Sequence, residues 1–541
     1  MRFYAAEIDA ARPAGATRAF AKAFGVAPYG TVARRAAVAA DTVTVRASDT
    51  GYRTRSTDAG GIQVYPATLD QAFALDRVVN LSLTGSAVAA GAGQMILSNP
   101  AGRYDALTAD WVTDGRPARA YLGAKIYDPE RGYFMDPTRA SLTQVFGGFA
   151  LQWYLTESTV VVPLRDSSYW LERPIQANRY GGSGGYDGHA GIANTPKPKA
   201  RGGTAGNPIR NVRPVLIDPA THTYQCSDAA GGIVQVYEAG APVFTFQADT
   251  SNLFAGSTTT GQYRTDNSRA CFQINPAGAA PAGEITADVW GAFPVAGAVS
   301  AADAVTRYLL AEDAALPSAN LNTATFIGAN YTAGVYFHPD DNETGVQASD
   351  KLLRSYGGCL VGQRDGRLAL LLLRAIAATA TPVASYSPSN VITLTPDPVD
   401  PPAWRIQVAF KRNHTRQTAG VSAAVTGAQL AFVNGPGESA AWASGTVAAA
   451  YPRAQDIGPI GGALMLSADA TAVAAALGAW LGERRRSVWL EVPAEDGTAR
   501  EIGDIVRVVW PLDDLRSGKL GRVMGDRIRT QDGTLRLRVV L

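Results

Sequence analysis

The chain has 541 residues, 46% of them hydrophobic, and its 49 Lys and Arg nearly balance its 47 Asp and Glu, leaving a formal charge of +2. That length exceeds one ordinary core and predicts roughly three to four domains of about 150 residues each. The balance lacks the basic excess of a dedicated nucleic-acid binder, which argues against sequence-specific nucleic-acid binding while leaving room for a channel through which nucleic acid passes.

The start, MRFYAAEIDAARPAG, carries acidic residues and no apolar run, so it does not read as a secretory signal. Residues 1–40 are Ala- and Arg-rich, with few strong apolar anchors, and read as an extension that orders only against a partner or as a loosely packed lead-in. A β-rich block follows over 41–175. Thr42 to Arg46 alternates with a period of two, and Arg77 to Leu83, Gln94 to Ser98, Ala118 to Leu122, Leu142 to Leu151 and Thr159 to Arg165 are further strand candidates. Turn signals separate them: Thr84-Gly85, Asn99-Pro100-Ala101-Gly102, Asp114-Gly115 and Pro129-Glu130-Arg131-Gly132. Many short strands at this spacing predict an antiparallel barrel or sandwich. Ser167 to Glu172 reads as one or two helical turns capped by Asp166.

Residues 176–210 read as a Gly/Pro-rich connector. Gly181-Gly182-Ser183-Gly184-Gly185 is followed by a Pro/Lys stretch rather than by a helix, so it reads as a flexible loop and not as a phosphate cradle. Lys197 to Arg201 continues the connector. Asn211 to Pro219 then opens a peripheral β domain over 211–300, an apolar, Pro-punctuated segment suited to docking, with strands at Gly232 to Tyr237, Val243 to Gln247 and Cys271 to Asn275. Residues 301–394 read as a small α+β domain. It has helices at Ala301 to Ala311, capped by Ser300 or Asp303, and at Asn342 to Tyr356. A hairpin follows over Gly357 to Leu373 with Asp365-Gly366 at its turn. The longest apolar run, Leu368 to Ala380, is broken by Arg374 and is short of the ~20 residues a transmembrane helix needs; it reads as a buried strand.

Residues 395–403 form a Pro-rich linker, extended and stiff. Residues 404–541 read as a second barrel-like domain with one helix. Its strands are Trp404 to Lys411, Ser487 to Val492, Asp504 to Trp510, Lys519 to Met524 and Leu535 to Leu541, the last pair turned at Asp532-Gly533. The helix, Ala468 to Arg486, sets Val473, Leu477, Trp480 and Leu481 on one face. Its basic end, Arg484 to Arg486, reads as a solvated helix C-terminus in preference to a phosphate patch.

Residue types that carry chemistry are sparse. The three cysteines, Cys226, Cys271 and Cys359, fit no CxxC pattern; a Cys226–Cys271 bridge stays open, with buried free thiols favoured. His189, His222, His338 and His414 lack a second ligand at metal spacing. His338-Pro339-Asp340-Asp341-Asn342-Glu343 lacks the order of a calcium loop and reads as an acidic first turn of the next helix. No catalytic, cofactor or metal residues are assigned, and no enzyme activity or cofactor is expected.

The order of several segments carries a resemblance. These are Met95 to Asn99 with Gly102, Tyr104 and Asp105 to Leu107, then Asp114 to Pro117; Val145 to Gly148 with Val160 to Asp166, Leu171, Arg173-Pro174 and Gln176; Lys197-Pro198 with Asn211-Val212, Pro214 to Pro219 and Tyr224-Gln225; Gly283 to Asp288; and Gly357 to Leu368. From about Tyr65 onward the chain resembles the large tail-tip or baseplate proteins of long-tailed bacteriophages, particularly siphophages of Mu-like type. The resemblance implies a mainly β, multidomain fold with tail-tube-like antiparallel β-barrels, similar to the trimeric hub of contractile tails. It implies a homotrimeric structural part of the virion at the tail tip, assembled in the host cytoplasm. Its partners would be the tail tube or distal tail protein, the tape-measure protein, and tail fibre or receptor-binding proteins. A sixfold distal tail ring protein, a carbohydrate-active or peptidoglycan-degrading tail protein and a receptor-binding module stand as alternatives.

Overall fold

The structure, a computed structural model, describes residues 1–541 except 13–40, 81, 82, 84, 279, 294–296, 299 and 530–532. The fold is mainly β and multidomain. Fourteen strands form one sheet among the described residues. From one edge its path runs through Thr42–Ser48, Arg2–Ala11, Arg116–Ala124, Thr143–Ala150, Thr159–Arg165, Ala92–Ser98 and Leu69–Val78. It continues through Lys519–Arg529, Thr534–Val540 and Ser487–Pro493 to Thr393–Asp397.

The first seven strands curl back on themselves. The Ser48 N–H donates to the Pro66 carbonyl at 2.8 Å, and Ser48 bridges Ala67 just ahead of Leu69. Alternation explains the curl's filling, because successive side chains leave opposite faces of a strand. Tyr4, Ala6, Ile8 and Ala10 point inward from one strand and meet Val160, Val162 and Leu164 from another. Leu490, Val492, Leu535 and Leu537 belong to that same buried cluster. The N-terminal and C-terminal strands, expected in separate domains, are therefore one sheet and one core, joined where Gly525 to Arg529 pairs antiparallel with Ala74 to Val78.

Several expectations change. Arg2–Ala11 is no extension: it is an interior strand paired on both sides, with Phe3, Ala5, Ala6, Ile8 and Ala10 fully buried. The rest of that expected extension, 13–40, lies outside the described residues, as does Asp532 of the predicted last turn. The Pro-rich linker begins later than predicted, because Thr393–Asp397 is an edge strand paired with Ser487–Pro493. The segment after it does not stay with the C-terminal strands. Ala403–Phe410 pairs with Glu438–Ala443 and Gln455–Leu464, and Ser467–Leu481 covers that small sheet. Their core merges with the helices and hairpin of 302–373. The range 404–541 also holds shorter helices, Gly427–Asn434, Gly445–Ala450 and Ala494–Thr498, where one helix was expected.

Local chemistry sets these elements. Ser467–Leu481 is rich in Ala, the best helix former, and buries Ala470, Val473, Ala474, Leu477 and Leu481 at helical spacing. It ends at Gly482, so Arg484 to Arg486 lie beyond the helix. The helix predicted from Asn342 starts at Gly345, where Thr344 and Gln347 form a capping box. The one predicted from Ala301 is Ala302–Tyr308, running into a wider turn at Leu309–Asp313; Ala301 occupies its cap position without a side-chain bond. The predicted hairpin forms as Gly358–Gly362 with Leu368–Leu372, and its edge pairs in parallel with Val88–Ala89.

The expected connector 176–210 is built into the peripheral β layer. Lys199–Gly202 is a fully buried strand between Ile285–Phe293 and Gly334–Phe337. The Asn211 to Pro219 block packs within its own chain: Val212 and Ile217 are fully buried, and the Asn211 amide donates to Asn413 Oδ1 at 2.8 Å. Backbones approach closely here, since a Cβ on Gly291 would sit 1.9 Å from the Ala200 carbonyl oxygen. Gly291→Ala is expected to destabilise by about 1–3 kcal/mol, read as a lower denaturant midpoint with an unchanged slope.

Candidate interaction surfaces and buried ionic staples

An apolar hairpin leaves the curled sheet between Arg116–Ala124 and Thr143–Ala150 and stands exposed. Ile126–Asp128 pairs with Tyr133–Met135, and Phe134 stands opposite Tyr127. Asp128 shapes the turn, its Oδ1 accepting from the N–H groups of Glu130 at 3.0 Å and Arg131 at 3.2 Å. Gly132 takes the positive φ of 71° that closes the turn. Among the described residues nothing covers the hairpin's faces: Ile126 is 62% exposed, Tyr127 53%, Tyr133 51% and Phe134 47%. A two-stranded hairpin is at best marginally stable alone, so this one draws rigidity from its base.

Asp136 is that base. It accepts from the Arg53 N–H at 3.0 Å and pairs with Lys125 at 3.2 Å, while its carbonyl accepts from Arg55 at 3.1 Å. These bonds pin the hairpin to a second one, Tyr52–Arg53 with Val64–Tyr65, whose Ile62 and Val64 are also exposed. Beneath them Phe3, Ala5, Tyr52 and Tyr65 form a small core. The result is an exposed apolar surface held on a rigid mount, the usual mark of a protein-binding face.

Two buried ionic clusters tie the layers together. Arg77, on Leu69–Val78, grips Asp526, on Lys519–Arg529, through two bonds of 3.0 and 2.5 Å. Its Nη1 donates to the Gly362 carbonyl at 2.7 Å and to Glu501 at 3.1 Å, and Arg364 also pairs with Asp526. Burial by itself raises the Asp526 carboxyl, but Arg364 and Arg77 outweigh it and hold the group below its ordinary value. In the peripheral layer Lys199 and Arg201 share Asp228 and Asp313 at 2.7–2.9 Å, all four side chains at most 5% exposed. Burial opposes the charge of Asp228, and Arg201 and Lys199 override it, lowering its pKa. Apart from Arg364 Nη1, which is buried without a hydrogen-bond partner among the described residues, the charged groups of these clusters are paired with one another, which makes them staples and not reactive centres.

No protein-family model matches the chain, and no curated protein matches it. Solved structures similar to it include the tail protein from Neisseria meningitidis MC58, at 11% identity and a TM-score of 0.34, covering 91% of this chain and 96% of that one. The 43 kDa tail protein of prophage MuSo2 from Shewanella oneidensis is 10% identical, with a TM-score of 0.36 and the same coverage. Prophage tail protein gp18 from Listeria monocytogenes EGD-e is 7% identical, with a TM-score of 0.32, covering 89% and 91%.

The residues singled out in the sequence fall in separate places. In the Gly181 to Gly185 loop the Asp187 carboxylate accepts from the Gly181 N–H at 2.9 Å and from the Ser183 hydroxyl at 2.7 Å. A carboxylate thus sits where a phosphate would, and the backbone bond from Gly181 lowers its pKa. His338 accepts from the Asp340 N–H through Nδ1 at 3.2 Å, closing the short turn Pro339–Asp341. The acidic residues after it cap that turn and pair with Arg213 and Lys351, so they are not the first turn of the following helix. Burial, then Arg213, lowers His338 below its usual pKa. His189 accepts from the Gly191 N–H at 3.1 Å. His414 packs edge-on against Tyr336, and burial holds it neutral.

All three cysteines are free and buried. Cys271 pairs across the sheet with Gln225, so the neighbouring Cys226 projects to the opposite face. The two thiols join different clusters, Cys226 with Phe272 and Cys271 with Tyr180. Among the described residues no three His, Cys, Asp or Glu side chains gather as a metal site, and no helix is long and apolar enough to cross a membrane.

Proposed function

We propose that this chain is a structural protein of a bacteriophage tail, a homotrimeric hub at the tail tip or baseplate. It closes or extends the tail tube and links it to receptor-binding or fibre proteins during attachment and DNA delivery. The observation that carries the reading is the curled sheet with its pinned, exposed apolar hairpins at Ile62, Val64, Tyr127 and Phe134. A subunit of a ring or tube needs a rigid barrel-like body with an apolar face offered to its neighbour, and repeated contacts of one kind close a ring. The tail-tip motif order in the sequence supports the same reading. The ionic staples fit a part that bears load by keeping its layers in fixed register.

Tyr127→Asp with Phe134→Asp is expected to weaken self-association at least tenfold in sedimentation velocity. Unfolding free energy should change by less than about 0.5 kcal/mol, as for other exposed positions. A double variant that still assembles like the parent removes the hairpin from the interface. Wild-type protein that stays monomeric at tens of micromolar opposes the trimeric hub.

A further inference from the structure

The basic segment Arg484 to Arg486 does not behave as a solvated helix end throughout. Arg485 turns back under the Pro-rich linker, its guanidinium 4.9 Å from the ring centre of Trp480. Its Nε and Nη1 are buried and have no hydrogen-bond acceptor among the described residues. A buried guanidinium donor without an acceptor costs more than almost any other polar defect, because water has been removed and nothing replaces it. Burial pushes the Arg485 pKa down to about 10, with Asp400 opposing.

This guanidinium lines two cavities, of about 470 and 870 Å³, on either side of the linker; Val399, Asp400 and Pro401 border both. The larger has apolar walls from Leu394, Val399, Tyr451, Leu512 and Leu515. The other charges of the two cavities are mostly matched: Arg538, on the smaller, pairs with Asp397, on the larger, at 2.7 Å, and Lys519 and Arg486 each reach Asp514 at 3.2 Å. Arg484, exposed on the same wall, forms no ion pair among the described residues. The cleft therefore presents unmatched positive charge beside apolar walls. Its prolines, at 396, 398, 401 and 402, stiffen the strap between the cavities.

We propose that this cleft binds an extended segment of a partner protein that carries one Asp or Glu between aliphatic side chains, with Arg485 as its anchor. The carboxylate completes the guanidinium's missing bonds, and the flanking side chains cover the apolar walls. A single negative charge suits the site better than a free phosphate dianion, since Asp397, Asp400 and Asp514 line the same cleft.

The test uses the full chain and calorimetric titration with a blocked pentapeptide bearing a central Glu between Val and Leu, and its Gln counterpart. The Glu peptide should bind at least tenfold more tightly than the Gln peptide, as a charge-assisted bond to a desolvated guanidinium predicts. Arg485→Gln should bring the two to the same affinity. Leu512→Asp, at a wall position 43% exposed, should weaken the Glu peptide about tenfold, and it decides the matter if Arg485→Gln does not fold. Equal affinity for the two peptides, no measurable binding of the Glu peptide, or no response to either substitution overturns the proposal. So does displacement of the peptide by millimolar inorganic phosphate at fixed ionic strength, which would mark a free-anion site instead.

Discussion

Asp526→Asn is expected to lower the unfolding free energy by about 3–5 kcal/mol, the cost of stranding buried charge when one partner is removed. Asp526 is 1% exposed, and the two guanidiniums it serves, Arg77 and Arg364, are 3% and 4% exposed. The neutral amide leaves both cations with Glu501 and backbone carbonyls alone. Because Arg77 and Asp526 lie on the pair of strands that joins the N-terminal and C-terminal parts of the sheet, the loss should appear as a lower denaturant midpoint for the whole sheet. Exchange protection should fall first at 74–78 and 525–529. Adding Arg364→Met to Asp526→Asn should restore part of the loss, since the second change removes one of the stranded charges. The wild-type carboxyl titrates below its unfolded value near 3.9. Its stabilisation is therefore complete above that pH and is lost as pH falls through the lower folded value. Asp526→Asn should flatten this part of the acid-unfolding profile; an unchanged profile would show that Asp526 is not what couples it to pH.

Asp313→Asn is the second large effect, again about 3–5 kcal/mol. Of the two carboxylates that Lys199 and Arg201 share, Asp228 alone would remain, although both side chains are at most 5% exposed. The damage should be local to the peripheral layer. Amide exchange should rise at Lys199–Gly202 and at Gly334–Phe337, its antiparallel neighbour, while the curled sheet keeps its protection. Asp228, also held below its ordinary pKa, gives the cluster the same acid-side dependence, present above the unfolded value and lost below it. If exchange rises equally in both layers, the cluster does not staple one layer alone.

What the sequence revealed and hid follows from range. Thr159–Arg165 and Ser487–Pro493 were visible because alternation is local, and the turn residues beside them are local too. The hairpin at Asp365-Gly366 was visible for the same reason. Lys199 and Arg201 were misread because a basic, Pro-flanked stretch looks solvated until its carboxylates arrive from Asp228 and Asp313, the latter more than a hundred residues away. Arg77 and Asp526 are 449 residues apart, so no local pattern reveals their pairing or the merging of the two ends into one sheet. The apolar hairpin showed only its turn, at Pro129 to Gly132; that its aromatic residues stand uncovered is a fact of tertiary structure. Arg485 was hidden by its neighbours, since the three arginines share a composition, while Arg484 is exposed, Arg486 reaches Asp514, and the buried, unbonded guanidinium nitrogens are those of Arg485.

The proposed trimeric hub at the tail tip is tested most directly by a reconstruction of intact particles without imposed symmetry. Three copies of this chain at the distal end of the tube, with the Tyr127 and Phe134 hairpins against neighbouring subunits, is the predicted result. Six copies in a ring, a monomer, or absence from the tip would contradict it.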